Sequence, residues 1–343
     1  VEKHEKYMRR CIELAKRGEG FVAPNPLVGA VIVHEDKIIG EGYHRKYGVS
    51  HAEVNAIKSV KNPNLLKKST IYVSLEPCSH FGKTPPCSDL IIEKEIPRVV
   101  IGSLDTFSEV NGKGIERLLK NGVDVETGVL EEDCRLLNKR FFTFHEKSRP
   151  YVVLKWAQTK DGYMDKLRND NEKGVNWISS TETQSLVHLW RSQEMGILIG
   201  RKTAEADNPK LNVREVYGKD PIRIILDSKL KIKYNEELDP VSTRTIVFNT
   251  LDSRIEGNLE FLKVPDLNVT TILTTLYNQN ISSIFVEGGA ETLQRFIDSD
   301  LWDEIRIIQG ENYFKEGLPA PKLQIQPNKI TSFGRDSIFW YQK

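Results

Sequence analysis

A basic excess is missing from this chain: 49 lysines and arginines face 48 aspartates and glutamates. The balance holds within each half, at +2 for residues 1–147 and −1 for the remainder. A polynucleotide binder needs a cationic face to displace counterions from phosphates, so no nucleic-acid partner is expected. Cysteine is scarce as well, four in 343 residues. That excludes a disulfide framework and suits a reducing compartment. No apolar run approaches the ~20 residues that span a bilayer. The start, Val1-Glu-Lys-His-Glu-Lys, is charged, with no apolar stretch of the secretory kind behind it. A cytoplasmic protein without a membrane partner is therefore expected. Internal repeats and low-complexity segments are also absent, and the length favours two domains, each large enough for its own core.

What is present concentrates between residues 51 and 89. His51-Ala-Glu53 opens a helix-like stretch, the β-like run Thr70–Leu75 leads into Glu76-Pro77-Cys78, and Cys87 precedes a second apolar-periodic stretch. One histidine and two cysteines supply three soft ligands, which suits zinc. Three protein ligands leave the fourth tetrahedral position for water, whereas a structural site closes with four. Zinc lowers the pKa of a bound water to about 7, and the spare carboxylate of Glu53 is placed to carry a proton from water to a leaving group. The order H-x-E, P-C, C is the signature of zinc-dependent base deaminases. A purely structural zinc beside a C-terminal interaction module would need a fourth ligand, for which His80 is the nearby candidate.

Eight residues separate the cysteines, Ser79-His80-Phe81-Gly82-Lys83-Thr84-Pro85-Pro86, where two are usual. Metal geometry does not need so long a loop, but its Lys, His, Ser and Thr donors suit a phosphate. With that loop, His51-Ala-Glu53 and Pro77-Cys78 to Cys87 closely resemble the deaminase half of the bifunctional riboflavin-biosynthesis deaminase/reductases. The resemblance implies a cytidine-deaminase-like α/β/α sandwich over residues 1–147, with His51, Cys78 and Cys87 on zinc, Glu53 as the catalytic acid–base and Lys83 on the substrate phosphate. It also implies a homo-oligomer, dimeric or larger. A different enzyme class, a nucleotide or tRNA deaminase with a C-terminal substrate-binding domain, is the alternative. The neutral charge and the long loop count against it.

Around this motif the pattern is α/β. An amphipathic helix covers 2–17. Strands follow near 29–33, 38–44, 70–75, 99–103 and 123–128, with helices at 52–60, 88–95 and 115–120 and one helix from Glu131 to Phe144. Asn25 is fixed between Pro24 and Pro26, which suits either a turn or an amide aimed at a base edge; His44 is a core, surface or site histidine. The family resemblance makes both substrate contacts. After the strand ending at Ser103 the family has Asp-Pro-Asn-Pro, but here Asp105-Thr-Phe107-Ser-Glu-Val precedes Asn111-Gly-Lys-Gly114. Asp105 carries over as a substrate contact; the asparagine is replaced by Phe107.

Glu146-Lys-Ser-Arg149-Pro150 reads as a linker, and a second αβ series opens with Tyr151–Ala157. Val286-Glu287-Gly288-Gly289 is a strand-to-helix junction whose glycines allow close approach and whose helix offers free N–H groups to a pyrophosphate. There is no G-x-G-x-x-G. The junction resembles the reductase half of the same family, which implies a dihydrofolate-reductase-like domain over 148–343 that uses NADPH. Lys155-Trp-Ala-Gln-Thr-Lys-Asp161-Gly and Thr203-Ala-Glu-Ala-Asp207-Asn-Pro-Lys-Leu211-Asn-Val-Arg214 also match it. The resemblance implies that Ala157, Trp177, Thr203, Asp207 and Gly289 touch NADPH, and that Arg191, Leu211, Arg214 and Glu287 touch a ribosyl phosphate. Two arginines facing one phosphate make physical sense as charge-assisted partners.

Overall fold

The computed structural model describes residues 2–79, 85–106, 112–167, 174–234 and 243–343. The chain divides into two compact units, Val1–Lys147 and Ser148–Lys343.

The first unit is a five-stranded mixed sheet in the order β2-β1-β3-β4-β5. Its strands are β1 (Gly29–His34), β2 (Lys37–Tyr43), β3 (Thr70–Leu75), β4 (Arg98–Ser103) and β5 (Asp124–Thr127). β1 runs antiparallel to β2 and β3, while β3, β4 and β5 are parallel. Side chains alternate across a sheet, so each strand serves two cores. Ala30, Ile32, Ile71, Val73, Val99 and Ile101 face α2 (Ala52–Ser59), α3 (Cys87–Glu93) and α4 (Lys113–Lys120). Val31, Val33, Tyr72 and Val100 pack instead on α1 (Glu2–Lys16), through Tyr7, Met8, Cys11 and Leu14, and on Cys134 of α5 (Glu131–Leu137). The result is an α/β/α sandwich.

The expected single helix from Glu131 to Phe144 is two helices, α5 and α6 (Lys139–Lys147), broken at Asn138. The cause is lateral. The buried Asn138 amide accepts from Leu27 N–H (2.7 Å) and donates to Leu27 C=O (2.9 Å), pairing with the main chain as a strand would. That pins the Pro24–Leu27 segment to the end of α5.

The second unit is a ten-stranded sheet in the order β11-β12-β10-β9-β8-β13-β6-β14-β17-β16. The parallel centre comprises β12 (Leu259–Lys263), β10 (Thr245–Asn249), β9 (Ile222–Leu226), β8 (Gly196–Gly200), β13 (Ser283–Val286), β6 (Tyr151–Gln158) and β14 (Glu304–Gln309). β11 (Arg254–Glu256), β17 (Asp336–Gln342) and β16 (Lys329–Phe333) add antiparallel edges, and β7 (Tyr163–Asp165) pairs with β15 (Leu318–Pro319). One face packs on α9 (Val269–Asn278) and α10 (Ala290–Asp298), the other on α7 (Thr181–Ser192) and α8 (Arg201–Asp207). From β6 the chain steps over one place to β8, runs outward through β9, β10 and β12, and returns to lay β13 in the gap. Strand order thus reverses at β8, β13 and β6, where open α/β sheets bind ligands at the carboxyl ends. Among the described residues no helix is long and apolar enough to cross a membrane.

Asn138→Ala strips both partners from the buried Leu27 main chain. Denaturant unfolding should show the first unit destabilised by about 2 kcal/mol, the cost of two orphaned backbone groups.

Candidate active sites

At the carboxyl end of β3 three ligand atoms converge. His51 is the extended N-cap of α2, Cys78 follows β3 through Pro77, and Cys87 is the first residue of α3. Two helix N-termini thus meet the strand end, and their N–H groups favour thiolate; the Cys87 N–H donates to Cys78 Sγ at 3.3 Å. Tetrahedral zinc, with bonds of ~2.0 Å to nitrogen and ~2.3 Å to sulfur, sets such atoms roughly 3.6 Å apart. Cys78 Sγ and Cys87 Sγ lie 3.6 and 3.4 Å from His51 Nδ1. The donors therefore fit zinc in both type and spacing. Among the described residues no fourth ligand joins them and no second such cluster occurs. His80 and Lys83, in the long loop, lie outside the described residues, as does Phe107.

The electrostatics match a site built for a cation. Hydrogen bonding from Cys87 and His51 draws the Cys78 thiol down, against the opposing effect of burial. The Cys87 thiol is pushed well up by that same bond and by burial. Hydrogen bonding with Cys78 raises His51 to about 9. Metal binding here must release protons. Glu53, in the first turn of α2, is buried, and burial pushes its carboxyl up despite the His51 ring. A carboxyl raised in this way is suited to both accept and return a proton.

Asn25 and His44 join this cluster. Asn25 Nδ2 lies 3.2 Å from His44 Nε2, His44 Nδ1 lies 3.2 Å from Ser50 C=O, and the His44 and His51 rings meet edge to face at 5.4 Å. Burial lowers the His44 pKa, so the ring is neutral. A proton on Nδ1, given to Ser50, leaves Nε2 to accept from the amide. Asp105, buried, follows β4.

The second unit gathers its polar groups at the ends of β13, β6 and β8. Arg191, in the last turn of α7, donates from Nε to Glu287 Oε1 (2.8 Å) and from Nη2 to Oε2 (2.6 Å). The two residues expected to touch substrate separately therefore hold each other. Burial would push the Glu287 carboxyl up, but Arg191 and Lys155 outweigh it and hold it at about 2. Burial lowers the Lys155 pKa, and Glu287 opposes that shift. Leu211 has its side chain in the core (φ 53°), so a ligand there meets its main chain. Arg214 is exposed, bonded to Asn212 and near Glu215.

The cofactor candidates fall on the neighbouring turns. Gly289 (φ 62°) is the N-cap of α10, with no side chain capping the helix. A Cβ on Gly288 would lie 2.6 Å from Ile199 Cβ, so only glycine lets this turn press against β8. A Cβ on Gly289 would come within 3.2 Å of Thr203 Oγ1, which places α8 beside the same turn. Free helix N–H groups at a switch in strand order fit a dinucleotide pyrophosphate. Asp207 ends α8, Ala157 is near the end of β6, and Trp177, 56% exposed, precedes α7.

Residues 1–103 match the cytidine and deoxycytidylate deaminase zinc-binding region, and residues 150–336 match the RibD C-terminal domain. The riboflavin biosynthesis protein RibD of Aquifex aeolicus is 37% identical over 98% of each chain. That of Escherichia coli is 34% identical over 88% of this chain and 86% of its own. The chain belongs to the RibD family. A Thermotoga maritima crystal structure, of a diaminohydroxyphosphoribosylaminopyrimidine deaminase/5-amino-6-(5-phosphoribosylamino)uracil reductase, is 36% identical with a TM-score of 0.86 over 99% of both chains. As a RibD family member the chain is a bifunctional deaminase and reductase of riboflavin biosynthesis, with zinc and NADPH as cofactors.

Sequence reasoning gave no role to several groups that lie beside these residues. Lys155 is the lone charge in the apolar strand Tyr151–Trp156, a signal that was available. His188 lies one turn before Arg191 and accepts from Arg214 N–H at 3.4 Å. Asn55, two residues beyond Glu53, donates to the carbonyls of Tyr43 and Ser50 and so secures the segment bearing His44.

Arg191→Met would leave Glu287 buried beside Lys155 without its bidentate partner, at a cost of ~3–5 kcal/mol. A depressed carboxyl stabilises the fold above its ordinary value of 4.5 and loses that contribution as pH falls towards about 2. Denaturant unfolding of the second unit should therefore separate variant from wild type most above pH 4.5, with the gap closing as pH falls.

Proposed function

We propose that residues 1–147 deaminate a diaminopyrimidinone ribosyl phosphate and that residues 148–343 then reduce its ribosyl group to a ribityl chain. The ligand cluster with a buried spare carboxylate carries the first assignment, and the Arg191–Glu287–Lys155 group beside an uncapped glycine turn carries the second. The partners are small molecules rather than nucleic acid, in keeping with the near-neutral charge. The enzyme works in the cytoplasm, where its four free cysteines suit reducing conditions, and as a homo-oligomer, by likeness to the family.

His51, Cys78 and Cys87 would hold zinc, and the turn at Gly289 with Thr203, Asp207, Ala157 and Trp177 would hold NADPH. When bound, zinc supplies an acidified water and NADPH a hydride. Glu53 takes the proton from the attacking water and gives it to the departing amine, so one carboxyl serves both halves of the displacement. Asn25, His44 and Asp105 orient the pyrimidine, and Lys83 meets the phosphate. In the second site Lys155, a half-buried ammonium with a lowered pKa, donates the proton that the opening sugar oxygen requires. Glu287 keeps that ammonium charged and aimed, and Arg191 keeps Glu287 ionised. Arg214 and the Leu211 main chain meet the phosphate end.

The deciding assay follows ammonia release and NADPH loss separately on the full chain. Both should appear in sequence; ammonia without NADPH oxidation would leave only the first assignment standing. Glu53→Gln should lower deamination by at least ~10²-fold while zinc content and reduction of the deaminated substrate persist. Retained deamination would remove Glu53 from its role. The alkaline limb of the reductase pH profile should fall below 10.5, the ordinary lysine value, because activity is lost as Lys155 deprotonates. Lys155→Arg should shift that limb upward, and an unmoved limb would exclude Lys155 as the donor.

A further inference from the structure

The residue before the Pro77-Cys78 turn is a buried carboxylate with no role in metal binding or proton transfer. Glu76 is 4% exposed, and its own N–H continues the β3–β4 pairing by donating to Ser103 C=O at 3.0 Å. Its side chain collects backbone donors. Oε2 accepts from the N–H groups of Asp105 (3.3 Å) and Gly112 (3.0 Å), and Oε1 from those of Gly114 (3.0 Å) and Ile115 (3.4 Å). Among the described residues no lysine or arginine pairs with it. Its charge is met by main-chain N–H groups, three of them at or beside the N-terminus of α4, where the helix dipole favours an anion. The contact is close: a Cβ on Gly114 would lie 2.1 Å from the Pro77 carbonyl oxygen.

We propose that Glu76 is a positioning residue of the deaminase, holding Asp105 and the start of α4 in register with the turn that carries Cys78. The proposal rests on the deaminase assignment above and deepens it. Glu76-Pro77-Cys78 is three consecutive residues, so the metal thiolate and the anchor for Asp105 move as one piece. One carboxylate oxygen grips the chain just after β4, shared with the residue that opens α4, and the other grips the first turn of that helix. This fixes the distance between a substrate contact and the metal without adding a group to either. A carboxylate is required because both oxygens must accept. An amide of the same shape turns an NH2 group towards two N–H donors whichever way it faces.

The test is Glu76→Gln in the full-length, zinc-loaded enzyme. Zinc content and reduction of the deaminated substrate should be unchanged. The KM for deamination should rise roughly 10- to 100-fold, the factor that loss of charge-assisted hydrogen bonds corresponds to, with kcat held within about threefold. Loss of zinc, an unchanged KM, or an equal fall of kcat and kcat/KM would overturn the proposal, since a plain helix cap predicts no such split. Amide hydrogen exchange on the wild type decides the matter if the variant does not fold. Gly112 and Gly114 should exchange slowly, and exchange at the rate of an open loop overturns the carboxylate's grip. That readout needs no turnover. A wild type that releases no ammonia would end the deaminase assignment while leaving the exchange result to stand or fall on its own.

Discussion

A carboxylate buried where a strand ends has to be compensated within its own neighbourhood, and much of this molecule follows from how that is done. Glu76 comes immediately after β3, Asp227 after β9 and Glu287 after β13. Each lies where parallel strands deliver the chain to the rim of the sheet, too deep for water to meet the charge. The three solutions differ. Glu76 is met by main-chain N–H groups, and Asp227 by the Ile232 N–H and the Tyr234 hydroxyl, both on Oδ2 at 3.0 Å. Glu287 is met by Arg191 and Lys155. Backbone donors cannot leave and carry no proton to give, so Glu76 suits scaffolding. A neighbouring ammonium can give one, so Glu287 suits chemistry.

Much of this was legible in the residues. The unbroken apolar runs Ala30 to Val33 and Ile71 to Val73 mark strands buried on both faces, and soft ligands after a strand and before two helices mark a metal site. Contacts that need distance were not legible. Arg191 and Glu287 stand 96 residues apart, and each taken alone looks like a group waiting for substrate. Asn138 sits in a stretch whose helical periodicity is good, and only its pairing with Leu27, 111 residues away, breaks the helix. The edge strand Lys329–Phe333 has no buried face to write an alternating pattern, being exposed along most of its length. Short segments such as Tyr163–Asp165 are set by pairing alone. Phe107, the departure from the family pattern, lies outside the described residues.

The two units solve one problem with different materials. The first gathers donors by bringing helix N-termini to a strand end, so its ligands come from consecutive turns and their spacing can be read along the chain. The second gathers them by inserting β13 late between β8 and β6, so its polar groups come from residues far apart in sequence. Local assembly leaves a motif behind it, and late insertion leaves only a resemblance.

The arrangement of Asn25 carries a consequence for what the first site can read. Its amide nitrogen is directed at the neutral ring of His44, and that ring is in turn held by the Ser50 carbonyl. An amide nitrogen carries two hydrogens and its oxygen two lone pairs, so the one hydrogen directed at His44 leaves the oxygen and a second N–H to face a ligand. In the proposed substrate-binding role of Asn25, the amide therefore offers an incoming ring edge one acceptor and one donor side by side. By fixing which way the amide faces, the neutral His44 ring sets the order in which that acceptor and donor are presented.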